Sequence, residues 1–150
     1  MGSIKYFKIT TLLVIAVVFS SCSKNKGCTD KNATNFNSSA TKDDGSCTYS
    51  AYIVFWYNSQ TASHLASDGY TSIKCSINGS VVGTSPSNAS FNSAPTCGQS
   101  GSLSITQTLV NTTSQTVNYV ITDANNSSNV IWSGQLSLTA GVCTPQMLTK

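Results

Sequence analysis

Alternation of apolar and polar residues runs through the last two thirds of the chain. Between Tyr70 and Asn78, Ile73, Cys75 and Ile77 fall on one side, and Ser72, Lys74 and Ser76 on the other. A period of two is the mark of a half-buried strand. Val117, Tyr119 and Ile121 repeat it, as do Leu136 with Leu138 and Leu103 with Ile105 and Leu109. The run from Ala51 to Tyr57 differs, being apolar on both sides: Tyr52, Val54 and Trp56 on one, Ile53, Phe55 and Tyr57 on the other. Its β-branched and aromatic content predicts a strand, either central in its sheet or showing one aromatic face. Turn signals separate the runs: Asp68-Gly69, the hairpin pair Asn78-Gly79, Pro86, Pro95, the stretch 123–128, Ser133-Gly134 and Gly141. Val81-Val82-Gly83 and Val130-Ile131-Trp132 add short strands, and 142–148 reads as a last one, with Pro145 suggesting an edge. No window of about 11 residues carries a helical period, and the polar stretch 58–69 reads as a loop. The pattern predicts an all-β fold over residues 50–150: an immunoglobulin-like antiparallel β-sandwich of seven or eight short strands.

The first residues follow another logic. Lys5 and Lys8 precede an apolar run from Leu12 to Phe19, which leads into Ser20-Ser21-Cys22. Basic, apolar and small residues in that order make a secretory signal peptide, and the run is too short to span a bilayer comfortably. Ser21 followed by Cys22 resembles a bacterial lipoprotein signal, although Phe19 stands where that pattern usually has Leu. The resemblance implies cleavage after residue 21, a diacylated Cys22 and an acylated new N-terminus. Two or more acyl chains hold a protein stably where one does not. The implied partner is thus a membrane, reached through a lipid anchor, and the implied location is the bacterial outer membrane, facing periplasm or surface. Residues 22–26 form a short linker without acidic residues.

Composition narrows the function. Charged residues make up 9% of the 150, against about 25% in an average domain. There is no Arg and no Glu, and Ser, Thr and Asn fill the gap. Without Arg, bidentate contacts to phosphate or guanine are unavailable, so no nucleic-acid partner is expected. From Cys22 onward six Lys face five Asp, so the basic balance of the whole chain lies largely in the signal segment. The β-domain carries only Lys74, Lys150, Asp68 and Asp123.

Residues 27–49 have almost no aliphatic content and cannot build a core, so Cys28 and Cys47 are read as a disulfide staple. Closing a loop of about 20 residues contributes roughly 3 kcal/mol. Asp30, Asn35, Asn37, Asp43 and Asp44 offer the oxygen ligands that calcium takes. Their spacing is not that of an EF-hand loop, and Asn and Asp serve equally as turn formers. With Cys22 assigned to lipid, five cysteines remain, and one is free or pairs between chains. Cys75 lies in an apolar stripe, which marks it as the buried free thiol; the competing reading pairs it with Cys97 or Cys143.

Two resemblances extend this reading. Gly27-Cys28-Thr29-Asp30, Ala33, Asn35-Phe36-Asn37, Ala40 and Asp43-Asp44-Gly45-Ser46-Cys47 resemble a short cysteine-bounded module of secreted and surface proteins of Bacteroidota-type bacteria, with Phe36 in place of the usual Tyr. It implies a spacer near anchors or between domains. The turn Gly79 to Thr84, Pro95-Thr96-Cys97-Gly98, Trp132-Ser133-Gly134 and Gly141-Val142-Cys143-Thr144 resemble an uncharacterised β-domain of small lipoproteins from the same group, over roughly 51–148. This second resemblance implies that Cys97 and Cys143 are partners, leaving Cys75 free.

Catalytic groups are scarce: one His, His64, in a polar stretch, and Asp68 and Asp123 beside turns. A hydrolase would need His64, Asp68 and a Ser or Cys to converge, and no nucleophile-elbow motif points that way. The chain is therefore read as a non-catalytic structural or binding module whose partner is a protein or a glycan. Phe55, Trp56, Tyr57 and Trp132 are the candidate stacking residues of a carbohydrate-binding alternative. No cofactor is expected beyond the calcium candidates.

Overall fold

The computed structural model describes residues 24–150, so the expected signal segment and the expected lipid site at Cys22 lie outside the described residues. The apolar run becomes β1 (Thr48–Trp56), the middle strand of a three-stranded sheet. On one side it pairs antiparallel with β4 (Leu103–Val110), Thr48 facing Val110 and Phe55 facing Leu103. On the other it pairs parallel with β7 (Cys143–Met147), Tyr52 facing Cys143. A second sheet has the order β3 (Ser80–Pro86), β2 (Ser72–Ile77), β5 (Ser114–Asp123), β6 (Val130–Thr139). The chain leaves β3 of the second sheet for β4 of the first and returns for β5, the crossing connection of an immunoglobulin-like sandwich.

The alternation patterns become the interior. Ala51, Ile53, Phe55 and Tyr57 of the first sheet meet Ile73, Cys75, Ile77, Val117, Tyr119, Ile121, Leu136 and Leu138 of the second in one buried cluster. The Phe55 and Tyr119 rings lie 5.1 Å apart at 55°, within the range of favourable tilted aromatic pairs. Cys75 takes up a core position in the Ile73–Ile77 stripe and is fully buried. Asn78 and Gly79 both adopt positive φ (48° and 83°), as a two-residue type I′ hairpin requires.

Four expectations are corrected. The sandwich is not antiparallel throughout, because the chain leaves β6 at Gly141 (φ 75°) and runs on beside β1 instead of folding back. Residues 130–139 form one strand rather than two, since Ser133-Gly134 continues the ladder opposite Val120 and Tyr119. The stretch 58–69 is not a loop but carries a helix, α1 (Ser59–Ser67). Asn58 caps it, its Oδ1 accepting from the Thr61 N–H at 2.9 Å, and Gly69 (φ 82°) ends it. Only Thr61 and Leu65 of the helix are buried, so its face is too narrow for a helical period to stand out. Finally, the division between residues 49 and 50 falls inside β1. Cys28, Ala33, Cys47 and Tyr49 belong to the same buried cluster as the sandwich.

Two disulfides staple the molecule. Cys28–Cys47 closes the N-terminal module, and Cys97–Cys143 ties the long β3–β4 connection to the first residue of β7. The C-terminus is fastened as well. Leu148 is buried and donates its N–H to the Trp56 carbonyl, the Trp132 indole N–H donates to the Thr149 carbonyl, and Lys150 pairs with Asp68. That ammonium also sits 4.6 Å from the centre of the Tyr70 ring.

Gly134 has a packing role. A Cβ there would come within 2.8 Å of the Tyr119 ring, which fills the space a side chain would take. Gly134→Ala is expected to displace that ring and cost about 1–3 kcal/mol. This would be read as a fall of several degrees in melting temperature, with Ser133→Ala, at an exposed neighbour, as the near-neutral control.

Candidate functional site

The four stacking candidates do not form an exposed platform. Phe55 and Tyr57 are 2% and 3% exposed, because their face of β1 is the one that meets the second sheet. They are corrected from ligand-stacking residues to core residues. Trp56 and Trp132 are half-buried. The Trp132 ring stacks on Tyr57 at 6.1 Å and its indole N–H is taken by Thr149, so it braces the C-terminal segment. The most exposed aromatic ring of β1 is Tyr52, 37% exposed. It sits on the outer face of the strand, and alternation alone could not say which face that would be.

The five calcium candidates are engaged as turn and capping groups. Asp30 Oδ1 accepts from the Asn32 N–H, Asn37 Oδ1 from Ser39, Asp43 Oδ1 from Gly45 and Asp44 Oδ1 from Ser46, each at 2.9–3.0 Å. These are the two-residue side-chain turns that Asn and Asp favour. Asn35 bridges backbone to backbone: Oδ1 accepts from the Thr48 N–H at 2.8 Å and Nδ2 donates to the Ser46 carbonyl at 2.6 Å. A hydrogen bond from Ser46 holds the Asp44 carboxyl below its ordinary range. Among the described residues no group of three His, Cys, Asp or Glu is arranged to hold a metal ion. Calcium at millimolar concentration is expected to leave the thermal melt of the module unchanged. A calcium-dependent rise would show that an ion recruits these oxygens.

The groups a hydrolase would need are dispersed. His64 is exposed on α1, and no hydrogen bond joins its ring to a carboxylate or hydroxyl among the described residues. Asp68 is paired with Lys150, and Asp123 Oδ1 accepts from the Asn125 N–H at 2.9 Å.

Cys75 is the free cysteine among the described residues. Burial pushes its thiol up to about 12, and a neutral buried thiol is a poor nucleophile. The protonated thiol is the folded form, so its contribution to stability is complete below the ordinary thiol range and is lost as pH rises toward 12. A thiol reagent at pH 8 is expected to leave Cys75 unlabelled in the native protein and to label it after denaturation, as located by peptide mapping. Native labelling would show that the core opens at that strand.

A groove of 480 Å³ lies where the N-terminal module meets the sandwich. Asp30, Asn32 and Thr34 of the module form one wall, and Tyr49 and Tyr52 of β1 line it together with Thr139, Ala140 and Gly141 at the crossing into β7. The wall is held in place by hydrogen bonds. The Tyr49 hydroxyl donates to Asp30 Oδ2 at 2.6 Å, and the Thr34 hydroxyl donates to the Thr48 carbonyl at 3.0 Å. The bond from Tyr49, helped by the Asn32 N–H, holds the Asp30 carboxyl below its ordinary range and pushes the Tyr49 phenol up. In the sequence Asp30 has a turn or metal role, and Tyr52 falls on one aromatic face of β1 without being a stacking candidate; Asn32 and Thr34 carry no signal in it. A groove between segments some 20 to 100 residues apart leaves no local signal.

Comparison with protein-family models, with curated proteins and with solved structures gives no match. Among the described residues no helix is long and apolar enough to cross a membrane.

Proposed function

We propose that the protein is a lipid-anchored module of a bacterial cell envelope, held to the outer membrane through Cys22, acting by binding or by structure rather than by catalysis. The observation that carries this reading is the N-terminal order of Lys5, Lys8, the apolar run Leu12–Phe19 and Ser21-Cys22. It stands ahead of a domain that holds four of its cysteines in two disulfides, Cys28–Cys47 and Cys97–Cys143. Structural disulfides belong to oxidising compartments, where an exported chain arrives. The near absence of charge supports binding through hydroxyl, amide and aromatic groups over electrostatic capture. The non-catalytic part of the reading draws on the dispersal of His64, Asp68 and Asp123.

Expressed with its own leader in a Gram-negative host, the wild type is expected to partition with membranes. Its intact mass should correspond to residues 22–150 with acyl groups on Cys22. Cys22→Ser is expected to move the protein into the soluble fraction while both disulfides remain. A wild-type mass that retains residues 1–21, or one that lacks acyl groups, would overturn the anchor.

A further inference from the structure

We propose that the groove between the N-terminal module and β1 is a binding site for a neutral saccharide, with the Tyr52 ring as its stacking face. This rests on the reading of the chain as a binding module and assigns that module a site and a ligand class.

A volume of 480 Å³ lies within the roughly 300–1,000 Å³ of small-molecule sites. Its polar lining is unusual in being unspent. The hydroxyls of Ser50, Tyr52, Thr113 and Thr139 have no hydrogen-bond partner among the described residues. Each hydroxyl both donates and accepts. A ligand that matches this set must also donate and accept at several points around its rim, as sugar hydroxyls do.

Charge narrows the class further. No cationic side chain lines the groove, so phosphorylated or carboxylated ligands have no counter-charge. The one anionic group is Asp30, and both of its oxygens are already engaged, by the Tyr49 hydroxyl and the Asn32 N–H. It therefore acts as the strut that sets the module wall, and an ammonium ligand would have to compete with two hydrogen bonds in place. What is left is a charge-poor recess with four unpartnered hydroxyls and one partly exposed aromatic ring, the pairing of apolar face and polar rim that a pyranose presents. The geometry also gives the disulfide-bounded module a purpose beyond spacing. Without its Asp30–Tyr49 and Thr34–Thr48 contacts the groove would have only one wall.

The test uses the full lipidated chain in detergent micelles. It is probed first on an array of neutral and acidic oligosaccharides, and then by titration with the best neutral one and with tetramethylammonium. At least one neutral saccharide is expected to bind. Tyr52→Ala should weaken it by about tenfold or more. Thr139→Ala, at an exposed position of the groove, should weaken it in the same direction, and Trp56→Ala, outside the groove, should leave it unchanged. Melting curves of each variant show that the fold is kept. The proposal is overturned by an array without neutral hits, by saccharide binding that survives both Tyr52→Ala and Thr139→Ala, or by binding of tetramethylammonium in place of sugar. An empty array from a protein that still partitions to membranes through Cys22 removes the site and leaves the anchor. Saccharide binding by a protein that never reaches the membrane removes the anchor and leaves the site.

Discussion

β1 has no polar side to offer water along its second half, and that constraint organises the molecule. Ile53, Val54 and Phe55 are consecutive and all buried. A strand of this kind must be covered on both faces and hydrogen-bonded along both edges. β4 and β7 satisfy its edges. The sheet β3-β2-β5-β6 covers its inner face. At its far end the Trp56 carbonyl receives the Leu148 N–H, and Trp132 and Lys150 fasten the residues around Leu148.

Because the domain is nearly uncharged, burial and covalent staples replace ion pairs as its support. Each staple acts at a place where strand pairing is weakest. Cys28–Cys47 closes a module with almost no aliphatic side chains and delivers the chain directly into β1. Cys97–Cys143 joins a long connection to β7, a short edge strand interrupted by Pro145. A short edge strand with a proline has few ladder hydrogen bonds to hold it. The bridge thus sits at the point where the chain changes sheets.

The same junctions make the groove. β1 emerges from the disulfide loop with Asp30 pinned to Tyr49 on one side, and the crossing from β6 to β7 passes beside it at Thr139–Gly141. Cores and staples set the positions of these segments, and a lining rich in hydroxyl side chains fills the space between them. The composition that first marked the chain as unusual is therefore what gives the seam its chemistry: Ser, Thr and Tyr hydroxyls with hydrogen-bonding capacity left over.

Period-two alternation is a local property, so the inward faces of β2, β5 and β6, and Cys75 among them, are written in the sequence by itself. So are the Asn78-Gly79 hairpin, because two positive φ values are demanded at adjacent residues, and the low charge that shifts stability onto burial. Helix α1 was less legible, since nine residues with one buried leucine leave almost no periodic signal beside their caps. The parallel placement of β7 and the burial of Phe55 and Tyr57 rather than Tyr52 were decided only by the tertiary structure. A strand that is apolar on both faces is symmetric to any reading of its own residues. Its inner side is chosen by the sheet that packs against it, and its neighbour by where the chain crosses between layers. The groove was decided in the same way, because it exists only once residues 30–34, β1 and the crossing at Thr139–Gly141 have been brought side by side.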